Sequence, residues 1–253
     1  MQNRLWMAIG IALSVCFLCS GCFWSTKGPI ETQWYQSQPE IQPNLIVFLR
    51  GMGGANNCFL NPHECFDEKG FISSVKNRQL PYDMVAPNMH FGYYKDRSFI
   101  NRLKEDIILP AQAKGYRNIW LAGVSMGGLG SIFYLKEHPE DIKGIVILGP
   151  YLGNADIIDE LDAAGGLETW HPGKYNPEDQ WQADIWKFLK QHPYDSQEKP
   201  PIFLGLGKQD YYIKGQEILA DYLPPERVIK IEGKHRFSTF YELWELFLKK
   251  NVL

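Results

Sequence analysis

The chain has 253 residues, 45% of them hydrophobic and 22% charged, with a formal net charge of −3. That apolar content supports a buried core and excludes a disordered or low-complexity chain. The near-balance of charge gives no basis for binding nucleic acid or an acidic partner.

The N-terminus reads MQNRLWMAIGIALSVCFLCSGC. One basic residue, Arg4, precedes an apolar run from Leu5 to Leu18 and then small residues. This is the pattern of a secretory signal, with a run short for a membrane span. An N-terminal transmembrane anchor is the alternative reading of the same run. Residues 18–22, LCSGC, resemble the lipobox of bacterial lipoproteins, with Cys19 where that pattern usually has leucine. The resemblance implies a signal peptide over 1–21 and a lipid on Cys22. The mature protein would then be exported and held on a membrane by acyl chains, on a periplasmic or surface face. Residues 22–43 are polar, with prolines, and read as a tether.

Three of the five cysteines lie in the signal, which leaves Cys58 and Cys65 in the mature protein. They fall in one loop, and an oxidising compartment would allow a local disulfide between them. Two separate thiols are the other reading.

From Asn44 onward short apolar runs alternate with longer helical patterns. The strand candidates are 44–49, 82–87, 118–124, 144–149, 201–207 and 227–232. Most are continuously apolar, as expected of strands covered on both faces of a parallel sheet. Helical patterns span 66–77, 97–114, 126–138, 214–222 and 239–250. This alternation predicts an α/β fold, one mostly parallel sheet with helices on both faces, over residues 44–253. Residues 151–199 interrupt the rhythm as an insertion carrying Trp170, Trp181 and Trp186. Such a segment serves either as a lid-like element or as extra helices packed on the sheet. Its tryptophans suggest an apolar acyl or aryl pocket, with ordinary core or lid packing as the other reading.

Residues 120–131 read WLAGVSMGGLGS. Here Gly123, Ser125 and Gly127 form G-x-S-x-G between a predicted strand and a predicted helix. In that context the motif resembles the nucleophile elbow of the α/β hydrolases. A sharp strand-to-helix turn strains the serine backbone and leaves no room for side chains at Gly123 and Gly127. The resemblance implies two opening strands before Asn44, for which ETQWYQ at 31–36 is the one candidate, so a shortened sheet is expected. It also implies a serine, acid, histidine order, with each residue on a loop after a strand. Asp210 follows the 201–207 run and His235 follows the 227–232 run. Ser125, Asp210 and His235 are therefore the expected catalytic set. Asp184 and Asp195 are less well placed acids, lying in the insertion.

The family also implies two backbone donors for a developing oxyanion. One is the N–H of Met126, immediately after the nucleophile. The stretch LRGMGGANN, from Leu49, resembles the family's His-Gly-X-Gly loop with Arg50 at the histidine position. By that match Met52 supplies the second N–H, while Gly51 and Gly53 let the loop approach substrate.

The remaining histidines compete weakly. His138 and His192 precede prolines at helix ends, His171 lies in the insertion, and His63 and His90 follow strands and could touch substrate. No metal is expected, since no ligand spacing supports one, and no cofactor is expected, since no nucleotide-type loop is present. The resemblance thus implies a membrane-tethered serine hydrolase of small-molecule carboxylic esters. The alternatives are an acyltransferase or peptidase with the same triad, or a non-catalytic envelope lipoprotein on a hydrolase scaffold.

Overall fold

The structure is a computed structural model describing residues 26, 28–40, 42–52, 66–192, 194 and 199–253. The signal peptide, Cys22, Gly53, Cys58, His63, Cys65 and Asp195 lie outside the described residues.

Seven strands form one sheet in the order β1-β3-β2-β4-β5-β6-β7. They are β1 Thr32–Tyr35, β2 Asn44–Leu49, β3 Tyr82–Pro87, β4 Asn118–Val124, β5 Gly144–Leu148, β6 Ile202–Gly207 and β7 Val228–Ile231. All neighbouring pairs are parallel except β1 with β3. The helices are α1 Phe71–Asn77, α2 Phe91–Lys95, α3 Phe99–Leu103, α4 Leu109–Ala113, α5 Met126–Glu137, α6 Ala155–Ala163, α7 Trp181–Gln191, α8 Ile213–Tyr222 and α9 Phe237–Lys249.

Strand periodicity divides the apolar residues between two layers. Leu45, Val47 and Leu49 face a core built with α3 to α8, whereas Ile46 and Phe48 face one built with α1 and α9. A continuous apolar run satisfies both faces at once, which is why these strands show no polar alternation. The pattern of α9 works the same way, burying Phe240, Leu243, Trp244 and Phe247 along one stripe.

Three features correct the sequence expectation or decide between its alternatives. First, the tether expected over 22–43 is too long. Thr32–Tyr35 pairs antiparallel with β3, Ile30 is buried, and the Ile30 N–H donates to Asp106 Oδ2 at 2.8 Å. Trp34 also stacks near Tyr116, with ring centroids 6.0 Å apart. This segment is polar by composition because one face of an edge strand meets water.

Second, the single helix expected over 97–114 contains a π turn, Lys104–Ile108, between α3 and α4. Pro110 supplies no N–H to an i−4 carbonyl, and widening the ladder by one residue accommodates that loss.

Third, the insertion 151–199 contains α6 and α7, and its buried face belongs to the main core. Trp170 and Trp186 are 1% and 0% exposed, so these two side chains are core rather than pocket lining. The Trp186 indole N–H donates to the Leu152 carbonyl at 2.9 Å, satisfying the only polar atom buried with it. Trp181 stays half-buried against Phe133 and Tyr151. Among the described residues no helix is long and apolar enough to cross a membrane.

Candidate active site

Ser125 occupies the one-residue turn between β4 and α5, with φ 54° and ψ −114°. That left-handed conformation is costly for a side chain and is held in place by its neighbours. The Ser125 N–H donates to Leu148 O at 3.0 Å, and its carbonyl accepts the N–H of Tyr151 at 3.1 Å. The flanking glycines are required by contact. A Cβ on Gly123 would lie 2.2 Å from the Gly127 carbonyl oxygen, and one on Gly127 would lie 2.0 Å from that of Leu49. Helix α5 therefore starts directly against the end of β2.

Asp210 and His235 lie on the loops after β6 and β7, as the sequence order requires. The two loops are tied together, because the Lys208 N–H donates to Ile231 O and the Gln209 N–H to Gly233 O, both at 2.9 Å. Asp210 Oδ1 accepts the Tyr212 N–H at 2.8 Å, which leaves Oδ2 facing His235 Nδ1 at 2.7 Å. His235 Nε2 in turn lies 2.9 Å from Ser125 Oγ. With the carboxylate accepting from Nδ1–H, Nε2 is left as the acceptor for the serine hydroxyl. The Asp210 side chain is 0% exposed and that of His235 9%, so the charge is shielded from water. Tyr211, Tyr212 and Phe240 surround the imidazole, with centroids at 4.6, 5.2 and 5.0 Å. A hydroxyl held this way can pass its proton to the imidazole as it attacks an electrophile.

The loop after β2 closes the other side. A Cβ on Gly51 would stand 3.2 Å from Ser125 Cβ, so the backbone passes directly over the serine. Met52 follows with its side chain 54% exposed. Met126 is the first residue of α5, and a helix leaves the N–H at that position without an internal partner. Arg50 turns inward and is 4% exposed. Burial lowers its pKa to about 10.

Among the described residues the other histidines and the alternative acid have partners of their own or lie exposed. The His90 ring accepts the Gly92 N–H and caps α2, His192 is buried against the Pro200 carbonyl, and His171 is exposed. Asp184 pairs with Lys136 at 3.0 Å. His138, Glu140 and Asp141 do cluster, but the Lys104 ammonium stands among them, 3.0 Å from Asp141 and 3.7 Å from Glu140. It supplies the positive charge that a cation would bring.

The sequence model of the α/β-hydrolase fold matches residues 94–192, a span that includes Ser125 and its two flanking glycines. An S-formylglutathione hydrolase from Staphylococcus aureus aligns with a TM-score of 0.56 at 13% identity, covering 86% of this chain and 87% of that one. A fluorophosphonate-binding serine hydrolase from the same organism aligns at 0.56 and 14% identity, covering 89% and 100%. Est1E from Butyrivibrio proteoclasticus, in its ferulic acid complex, aligns at 0.51 and 15%, covering 88% and 95%. The chain has the α/β-hydrolase fold. No curated protein matches its sequence closely enough to count as a relative.

Within this hydrolase fold the candidate residues sit at the carboxyl ends of β2, β4, β6 and β7, where open α/β sheets bind ligands. Sequence reasoning passed over the rings around His235, although Tyr211 and Tyr212 directly follow Asp210. It also passed over Tyr151, whose N–H fixes the Ser125 carbonyl. A signal existed in the tyrosine soon after the β5 strand, but nothing local said which loop would reach the elbow.

Proposed function

We propose that this protein is a serine hydrolase of small-molecule carboxylic esters. The observation that carries the reading is the chain Ser125 Oγ, His235 Nε2, His235 Nδ1 and Asp210 Oδ2, with steps of 2.9 and 2.7 Å. In this reading His235 takes the Ser125 proton as Oγ attacks the acyl carbon, and Asp210 orients and stabilises the imidazolium. The Met52 and Met126 amides receive the oxyanion. His235 then protonates the leaving alkoxide, leaving an acyl group on Ser125. Water, deprotonated by His235, releases that group as the carboxylic acid and restores the serine. The named neighbours, among them a serine hydrolase and a ferulic-acid-bound protein, support ester chemistry.

We further propose that the signal is cleaved ahead of Cys22 and that a lipid on this cysteine tethers the enzyme to a membrane of the cell envelope. Mass spectrometry of the mature N-terminus checks this, and an unmodified residue other than Cys22 there rejects it.

The test of activity is hydrolysis of p-nitrophenyl esters from acetate to palmitate by the chain from Thr26 onward and by its Ser125→Ala variant. Turnover by the first and none by the second supports the esterase. Equal inertness, with no fluorophosphonate labelling of Ser125, supports a binding scaffold instead.

A further inference from the structure

Arg50 stands at the end of β2, where the family-like loop has histidine, and nothing in the triad uses it. Its Nε–H donates to the carbonyl of the next residue, Gly51, at 3.3 Å, and its NH1 group donates to Asn88 Oδ1 at 3.2 Å. Gly51 lies against the nucleophile, since a Cβ added there would stand 3.2 Å from Ser125 Cβ. The Gly51 carbonyl and the Met52 N–H belong to one planar peptide unit and point in opposite directions across it. A side chain that holds this carbonyl therefore also sets the direction of the Met52 N–H.

We propose that Arg50 is a positioning residue that locks the Met52 N–H as an oxyanion donor, an inference resting on the esterase reading. The backbone on its other side is already fixed. The carbonyl oxygens of Leu49 and Arg50 lie 2.0 and 2.7 Å from where a Cβ on Gly127 would be. The peptide between Gly51 and Met52 is the next one along, and the guanidinium restrains it through the Gly51 carbonyl. Asn88, following β3, anchors the guanidinium itself.

The charge has a second consequence. Among the described residues Arg50 bonds to a carbonyl and a side-chain amide, and it forms no ion pair with a carboxylate. The nearby Tyr94 hydroxyl is buried and has no hydrogen-bond partner among the described residues. Burying a cation costs stability, but beneath the loop it contributes positive potential where negative charge develops on substrate. Lysine cannot substitute, because the contact to Gly51 is made by Nε of a rigid planar fork.

The test compares the wild type with Arg50→Lys, Arg50→Gln and Asn88→Ala. Steady-state p-nitrophenyl acetate hydrolysis is measured together with inhibition by phenylboronic acid, whose serine adduct places an oxygen in the donor site. Both Arg50 variants are expected to lower kcat about 10- to 100-fold with KM little changed, and to weaken boronate binding in parallel. Asn88→Ala should give the same signature at smaller size. A folded Arg50 variant with kcat and boronate affinity within about threefold of wild type overturns the proposal, as does a raised KM at unchanged kcat. If the Arg50 variants do not fold, an unchanged kcat in Asn88→Ala overturns it. A wild-type chain inert to ester, with Ser125 unlabelled by fluorophosphonate, removes the esterase reading itself and this role with it.

Discussion

Ser125 Oγ lies 2.9 Å from Nε2 of His235, across 110 positions of sequence. The parallel sheet closes that distance, because β4, β5, β6 and β7 end on the same edge and each hands its following loop to it. The same serine is held at φ 54°, in a region that glycine enters freely. Ser125→Ala and Ser125→Gly should both lose turnover by about 10⁴-fold or more. They should differ in stability, with the glycine variant more stable than the alanine variant by about 1 kcal/mol, or roughly 2–4 °C in Tm. Equal melting temperatures would show that the turn stores no strain.

Gly127→Ala places a methyl group 2.0 Å from a backbone oxygen of β2, which no rotamer can relieve. The variant should lose about 3 kcal/mol or fail to fold. Gly173→Ala, with nothing within 4 Å of the new Cβ, should stay within about 0.5 kcal/mol of wild type. Chemical denaturation of the pair separates a packing requirement from a general cost of alanine.

Trp186, on the buried face of α7, is fully enclosed, and Tyr211 is 71% exposed beside His235. Trp186→Ala should cost about 3–5 kcal/mol, since it opens a large cavity and leaves the Leu152 carbonyl without its donor. Tyr211→Ala should leave the midpoint of unfolding within about 0.5 kcal/mol. Near-equal effects would mean that α7 is detachable from the core.

Burial holds the His192 imidazole below its ordinary value of 6.5, with Arg227 and Lys199 acting in the same direction. Between the lowered folded value and 6.5 the unfolded chain binds more protons than the folded one. Stability contributed by the neutral ring is therefore present above that window and is lost as pH falls through it. On acidification from about pH 7.5 to about pH 5, wild type should lose more stability than His192→Gln. Thermal melts at matched pH values read the difference, and parallel losses would remove His192 from the account.

The parallel strands were legible because burial on both faces writes itself into consecutive residues. The 44–49, 82–87 and 118–124 runs are strands to the residue. The elbow was equally legible, since its glycines answer to contacts within a few positions. β1 was legible only as a bare candidate, since residues 31–36 carry a weak strand pattern and Thr32–Tyr35 becomes a strand by pairing with β3. The insertion was legible only as alternatives, a lid-like element or helical packing on the sheet. Its tryptophans suit a pocket or a core equally in local sequence, and only packing assigns Trp170 and Trp186 to the core.

The sequence by itself determined the layered α/β architecture, the serine turn and the chain order of Ser125, Asp210 and His235, all properties of local pattern. Only the tertiary structure decided how those three residues meet, which rings enclose His235, and that Arg50 turns inward to hold Gly51. Those relations depend on which loops share the carboxyl edge of the sheet. That is set by strand order and helix packing across the whole chain, and no window of neighbouring residues contains it.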